Sequence, residues 1–237
     1  MFLSRGGTAA VGLPPGVARL RRQIVVFRGW GRDSGRGVEL TRVAILAALS
    51  RVIETRDPYT CGHSTRVTRL AEALARRLGW HEDRLAALRI GGRLHDVGKL
   101  AISNAILLKP EPLELAELAQ IREHPALGAR MIRRFAFARD ALPYVLYHHE
   151  RWDGGGYPSG KSGKQIPIEA RVLALADAFD AMTSLRPYRD ALAPSDALEE
   201  VSRCAGTQFD PTLALAFVDV WSTGVVGTQR VAESRVA

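Results

Sequence analysis

Apolar residues recur every three or four positions from about residue 39 to about residue 221, and no segment alternates apolar with polar residues. In the segment TRVTRLAEALARRLG, for example, Val67, Leu70, Leu74 and Leu78 form one stripe. A repeat of 3.6 residues places such a stripe on one face of an α-helix, whereas a half-buried strand needs a repeat of two. The pattern therefore predicts an all-α fold whose helices bury these stripes against one another.

Capping residues and helix breakers divide this pattern into separate helices. Ser64 is predicted to be the N-cap of the segment just described, and Gly79 stands where a left-handed C-terminal residue belongs. Pro125 fits the first turn of a further helix. The predicted helices cover residues 39–56, 65–78, 82–97, 112–123, 125 onward, 140–150, 167–184, 195–205 and 211–221.

The longest irregular segment between these helices covers residues 151–165 and is rich in glycine. A loop of this length inside a domain is usually functional. Asp153 within it is expected either to orient a neighbouring histidine or to cap the loop.

The positive charge of the chain is concentrated near its beginning. Residues 1–37 contain seven arginines and one acid, so they carry +6 of the formal net charge of +8. Their glycines and prolines argue against a stable fold. We therefore divide the chain into a basic leader (1–37), a helical domain (38–221) and a flexible tail (222–237). Nucleic-acid binding by the leader is the less favoured interpretation, because a basic tail is more often simply solvated.

The sequence contains no membrane or secretion signal that we recognise. No run approaches the roughly 18 apolar residues of a spanning helix, and the first residues lack the apolar core of a signal peptide. Cys61 and Cys204 are too few and too far apart for a disulfide framework. These features predict a cytoplasmic protein.

Histidines and aspartates fall where predicted helices begin, end or meet loops. His81 is the exception among the six histidines, since it lies in a turn and is predicted to be an ordinary surface residue. Asp177 lies in the apolar segment LALADAFDAM, where a carboxylate needs either an arginine partner or a metal. Taken singly, each residue has a structural explanation, but together they suit a pair of divalent metal ions. The candidates are His63, His95, Asp96, His124, His148, His149 and Asp177.

Six sequence blocks together resemble the HD-GYP domain, a branch of the HD phosphohydrolase superfamily. They are GHS (62–64), HDVGK (95–99), REHPALGARMI (122–132), HHERWDGGGYP (148–158), ALADAFDAMTSLRPYR (174–189) and GTQFDP (206–211). A His-Asp pair alone is weak evidence for this family, whereas six blocks in order at the usual spacing are very specific evidence. The resemblance covers residues 39–221 and implies a compact bundle of many helices with a Gly-rich loop after the sixth helix.

The resemblance implies a role for single residues as well. The implied metal ligands are His63 and Asp177 for the first ion, the pair His95 and Asp96 with the aspartate bridging both ions, and His124, His148 and His149 for the second ion. Asp96 and Lys99 are the implied catalytic residues. The implied substrate contacts are Lys99, Tyr157, Arg186 and Arg189.

The implied activity is hydrolysis of cyclic di-GMP to linear pGpG, to GMP or to both, through a hydroxide that bridges two divalent ions. Ligand chemistry favours iron or manganese for these ions, with zinc and nickel as alternatives. One alternative is a receptor that binds cyclic di-GMP and transmits a signal without hydrolysis. Another is an HD phosphohydrolase that acts on other nucleotides. Partners expected by analogy are a sensor or receiver domain and a second copy of the chain, paired through the 39–56 helix.

Two positions depart from the family pattern. Tyr59 stands where some members carry a glutamate that helps to hold a third metal, and a tyrosine with a pKa near 10 replaces it poorly. The resemblance therefore predicts two metal ions in this chain rather than three. Gly155, the middle residue of GGGYP, stands where a polar residue is frequent.

Overall fold

The computed structural model describes residues 62–185 and 190–222, together with positions 48, 49, 52 and 55. Within these residues no strand forms, and a single isolated bridge joins Ala205 to Phe209. The α-helices are α1 (His63–Arg77), α2 (Glu82–Leu94), α3 (Asn104–Leu107), α4 (Leu115–Ile121), α5 (His124–Ile132), α6 (Leu142–Tyr147), α7 (Ile168–Thr183), α8 (Pro194–Arg203) and α9 (Pro211–Ser222). Short 3₁₀ helices cover Val97–Ala101, Ala136–Ala141 and Gly163–Gln165. The prediction of an all-α fold is confirmed.

The two ends of α1 test the capping predictions. The N-cap is Gly62, at a φ of 71°, so the prediction that Ser64 caps this helix is wrong. The left-handed glycine starts the helix two residues earlier than predicted, which makes Ser64 a buried residue of the first turn. Gly79 does end the helix as predicted, because its φ is 73° and the Trp80 N–H donates to the Ala75 carbonyl at 3.0 Å.

Other boundaries move by a few residues for local reasons. Helix α2 stops at Leu94 rather than at residue 97, because the chain tightens into a 3₁₀ helix from Val97. Helix α4 begins only at Leu115, where Glu114 and Glu117 form a capping box. The short helix α3 was not predicted, since four residues are too few to show a periodic pattern. The Gly-rich loop follows α6, as predicted.

Two clusters of buried apolar side chains hold the helices together. The larger joins α1, α2, α7, α8 and α9, with Leu74, Leu173, Phe179 and Phe217 among its members. The smaller joins α2, α5 and α6 around Leu94, Ile132 and Val145. Full burial of each such side chain contributes about 1.5–3 kcal/mol. Helix α7 is the central element, because it packs against α1, α6, α8 and α9.

The segment after α2 touches α5 main chain to main chain at Gly98. A Cβ added at Gly98 would lie 1.8 Å from the carbonyl oxygen of His124 and 2.7 Å from the Gly128 nitrogen. Only glycine fits such an approach. The contact brings Asp96, two residues before Gly98, against the first residue of α5.

Several predictions fall outside the described residues. They concern the leader (1–37), nearly all of the tail (222–237), Tyr59, Cys61, Arg186 and Arg189. Of the predicted helix 39–56, the four described positions are helical and Leu49 packs on the smaller cluster. Among the described residues, no helix has the length and apolar character needed to span a bilayer.

Candidate metal centre

The seven predicted metal ligands lie together in two adjoining groups. We call His63, His95 and Asp177 the carboxylate-flanked group, and Asp96, His124, His148 and His149 the histidine-rich group. Within each group, one ligand atom from every member lies within 4.8 Å of the others. Atoms that share a metal at about 2.0–2.2 Å lie at such separations from one another.

Helix ends supply most of these side chains. His63 begins α1 and His124 begins α5, while His95 and Asp96 follow the last residue of α2. Asp177 differs, since it projects from the middle of α7. The side chains from these helices therefore lie close together in the space between the helices.

The adjacent pair His148 and His149 follows the last residue of α6, and the two rings lie 4.1 Å apart. Both side chains enter the histidine-rich group. Neighbouring residues inside a helix diverge by about 100°, but the chain turns at this end, so both imidazoles reach one region.

Three imidazoles are oriented by the same local device. The Nδ1 atoms of His95, His124 and His148 lie 2.8, 2.8 and 3.0 Å from the carbonyl oxygen three residues earlier in the chain. Since a carbonyl only accepts, each Nδ1 carries the proton, which leaves Nε2 with a free lone pair. Metal-bound histidines are typically fixed in this way.

The Asp96 carboxylate faces both groups. One oxygen lies 3.2 Å from His124 Nε2, and the other lies 3.5 Å from His95 Nε2. In the carboxylate-flanked group, His63 Nε2 lies 3.2 Å from an Asp177 oxygen. A carboxylate with one oxygen toward each group has the geometry that a bridging ligand requires.

Two features inside the site call for a cation. The Nε2 of His95 is buried and has no hydrogen-bond partner among the described residues. The Nε2 atoms of His124 and His148 lie 3.3 Å apart, and both carry lone pairs because their Nδ1 atoms donate. Facing lone pairs repel each other unless a cation or a proton lies between them. The residues therefore fit divalent metal ions.

In the histidine-rich group the imidazoles of His148 and His149 are neutral and the Asp96 carboxylate is charged. Burial lowers the pKa of His149 to about 4 and that of His148 well below its usual range. Burial alone would raise the pKa of Asp96, but the nearby Lys99 and His95 outweigh it and lower this pKa well below its usual range. Neutral imidazoles and an ionised carboxylate are the forms that bind metals.

In the carboxylate-flanked group the balance is different. Burial favours the neutral form of His63, but hydrogen bonds with Asp177 and Asp180 raise the pKa of His63 to about 10. Burial opposes the charge on Asp177, yet His63 lowers the pKa of that carboxyl far below its usual value. Without a metal, this group therefore holds a proton at neutral pH.

Asp180 is a residue of this centre that sequence reasoning missed. Its carboxylate lies 2.7 Å from His63 Nδ1 and accepts hydrogen bonds from Arg66, at 2.6 Å from Nε. The arginine partner considered for Asp177 is thus found at Asp180, one turn further along α7. The spacing DAFD was the available signal, since residues three apart share a helix face.

The described substrate-contact candidates surround the same centre. Lys99 lies in the 3₁₀ helix that follows α2, and its Nζ is 2.7 Å from an Asp96 oxygen. The Tyr157 ring stacks on His149, with ring centres 4.8 Å apart. Arg122, which was not predicted, lies over the Tyr157 ring, with its guanidinium carbon 5.5 Å from the ring centre.

The GTQFDP block holds the Gly-rich loop in place. The N–H groups of Trp152 and Asp153 donate to the carbonyls of Gln208 and Thr207, at 3.1 and 2.8 Å. Asp153 pairs with Arg151 and accepts from the Gly155 N–H at 2.9 Å, so it caps the loop and does not orient a histidine. Between this loop and α7 lies a cavity of about 390 Å³. Its lining includes His149, Tyr157, Asp177, Ala178, Met182 and Phe209.

A family model described as "HD domain" matches residues 47–213, which is most of the chain. The chain belongs to the HD domain family, and its similarity to curated cyclic dinucleotide phosphodiesterases confirms the HD-GYP resemblance seen in the sequence.

Two curated relatives show the level of similarity. The cyclic di-GMP phosphodiesterase response regulator RpfG of Xanthomonas campestris is 39% identical over 168 residues, which cover 70% of this chain and 44% of that protein. The 3′3′-cGAMP-specific phosphodiesterase 3 of Vibrio cholerae is 36% identical over 167 residues, covering 70% of this chain and 36% of that protein. The chain thus spans less than half the length of these relatives.

A solved structure supports the fold. Bd1817, an HDG"Y"P protein from Bdellovibrio bacteriovorus, superimposes with a TM-score of 0.55 at 21% identity, covering 68% of this chain and 51% of that one. At this identity the likeness concerns the fold alone.

Proposed function

We propose that this chain is a metal-dependent phosphodiesterase that hydrolyses a cyclic dinucleotide, with cyclic di-GMP as its substrate. The observation that carries the proposal is the partnerless, buried Nε2 of His95 between two aspartates, in a cluster of oriented imidazoles. The names of the curated relatives support the substrate class.

Two divalent ions fit the ligand set. The carboxylate-flanked group would hold one ion, the histidine-rich group would hold the other, and Asp96 would bridge them. Imidazole and carboxylate ligands suit iron and manganese. When bound, such ions polarise phosphate oxygens and lower the pKa of water, which serves attack on phosphorus.

The remaining residues would bind and orient the dinucleotide. The ammonium of Lys99, partly exposed beside Asp96, is placed to neutralise a phosphate oxygen of the scissile bond. Tyr157 and His149 form one wall of the neighbouring cavity, which takes a nucleoside next to the reacting phosphate. Arg186 and Arg189 are proposed as further phosphate contacts by resemblance.

The decisive experiment measures metals and products on the same preparation. Protein purified without oxygen is analysed for bound metals and incubated with cyclic di-GMP and 3′3′-cGAMP, and linear dinucleotide and GMP are separated by chromatography. We expect two metal ions per chain and hydrolysis of cyclic di-GMP. A double variant, His95→Ala with Asp96→Ala, should lose both, whereas His81→Ala at the exposed sixth histidine should keep both.

The same experiment tests the alternatives. Tight binding of cyclic di-GMP without any product would favour the receptor. Faster hydrolysis of 3′3′-cGAMP would make that dinucleotide the preferred substrate and would leave the proposed phosphodiester hydrolysis unchanged. Pairing of two copies through the 39–56 helix stays a prediction, which light scattering of the full chain and of a chain lacking residues 1–56 would check.

A further inference from the structure

Glu150 is a buried carboxylate beside the centre that the proposed mechanism does not use. It follows His149 directly, is 4% exposed, and among the described residues pairs with no cationic side chain. A buried charge without a counter-ion is costly unless hydrogen bonds replace its lost water. The partners of this carboxylate therefore indicate why the chain tolerates it.

Both partners are main-chain N–H groups of the Gly-rich loop. One Glu150 oxygen accepts from the Ser159 N–H at 2.7 Å, and the other accepts from the Lys161 N–H at 3.1 Å. Between them Gly160 takes a φ of 63°, so the chain turns around the carboxylate. No helix supplies carbonyl acceptors for these N–H groups, and the Glu150 carboxylate is their acceptor instead.

The same loop folds back on the residues that carry it. The Tyr157 N–H donates to the His149 carbonyl at 3.1 Å. A Cβ added at Gly156 would lie 2.4 Å from the Arg151 nitrogen and 2.5 Å from the Glu150 Cα. The backbone before Tyr157 is thus in direct contact with the backbone after His149, while Glu150 fixes the backbone beyond Pro158.

We propose that Glu150 is a positioning residue that holds Tyr157 over His149 by fixing the main chain at Ser159 and Lys161. This inference rests on the proposed function, because Tyr157 matters only as a wall of the substrate cavity. Glu150 acts through the loop, and its contribution therefore disappears when the Tyr157 ring is absent.

The two hydrogen bonds make conservative variants informative. Glu150→Gln keeps the size of the side chain, but its amide nitrogen donates and faces a main-chain N–H, so one of the two bonds is lost. Glu150→Ala removes both. Glu199→Gln is the matched control, because Glu199 is an exposed residue of α8 outside the site.

The test combines kinetics with amide hydrogen exchange on the full chain. Glu150→Gln should speed exchange at Ser159 and Lys161, keep the bound metals, and lower kcat/KM for cyclic di-GMP by about 10- to 100-fold, mainly through KM. In a Tyr157→Ala background the same substitution should change kcat/KM by less than about twofold. Glu199→Gln should change none of these quantities.

Unchanged exchange at the two amides would overturn the inference. An undiminished kinetic effect of Glu150→Gln in the Tyr157→Ala background would also overturn it, because Glu150 would then act otherwise than through Tyr157. If the parent protein hydrolyses no cyclic dinucleotide, the proposed function fails. The exchange measurement still decides whether Glu150 fixes the loop.

Discussion

The histidine-rich group and the carboxylate-flanked group are adjoining halves of one centre, but they are built in different ways. In the first, His124 and His148 are each held by a carbonyl three residues earlier in the chain. In the second, His63 is held by Asp180, which lies 117 positions away on α7. The second half also contains an imidazole held by such a carbonyl, that of His95, but it depends in addition on the packing of α1 against α7.

The difference also affects protons. A carbonyl orients an imidazole without adding charge, and burial then keeps His148 and His149 neutral. The carboxylates around His63 instead stabilise its protonated form. The histidine-rich group is therefore ready for a metal at neutral pH, while the carboxylate-flanked group must first release a proton.

Removal of Asp96 should have the largest effect, since its carboxylate faces both groups. Asp96→Ala should empty both groups and lower kcat for cyclic di-GMP by more than about 1,000-fold. Metal analysis and product chromatography measure the two losses. Asp83→Ala, at an exposed aspartate of α2, is the control. Retention of two metals by Asp96→Ala would contradict a bridging role.

Loss of one histidine from each group should separate the halves. His149→Ala should remove a metal from the histidine-rich group, and His63→Ala should remove one from the carboxylate-flanked group. Each should lower kcat by about 100-fold or more, because one cation stays. Metal counting on both variants checks this, and loss of both ions from either variant would show that the groups do not bind separately.

Asp180→Asn should act on one half alone. The amide no longer supports the basicity of His63, so metal affinity of the carboxylate-flanked group should fall by about 10- to 100-fold. Competition with a chelator measures this affinity, and Asp196→Asn on the exposed start of α8 is the control. An equal fall in metal affinity at both groups would show that Asp180 does not act on the carboxylate-flanked group alone.

The smallest expected effect, taken per unit of pH, is a pH dependence confined to the same half. Because the pKa of His63 is about 10 without metal, each unit of pH lost below that value should weaken binding there by about tenfold. His149, whose pKa is about 4, releases no proton above about pH 5, so its contribution to metal binding in the histidine-rich group should stay constant from pH 6 to pH 9. Calorimetric titrations in buffers of different ionisation enthalpy would count the protons released, and identical counts at both groups would contradict the assignment.

The sequence was sufficient for the class of fold and for the set of histidines and aspartates that lie together, since helical periodicity and motif blocks are local patterns. It was insufficient for Asp180, Glu150 and Arg122, whose partners come from other elements or from main-chain atoms. The error at Ser64 has the same origin, because a glycine in the left-handed region ended the preceding turn before the expected cap. Tertiary contacts of this kind produce no periodic pattern in the amino-acid sequence.

The direct contact between main chains at Gly98 fixes the distance between two of the elements that carry the centre. Because no side chain separates the two backbones, the distance from Asp96 to His124 is set by peptide groups that substitution cannot resize. Substitutions can therefore change the walls of the cavity and the loop that lines it, but not the spacing between Asp96 and His124. Redesign toward another dinucleotide should leave residues 95–99 and 124–128 untouched and concentrate on Tyr157, Met182 and Phe209.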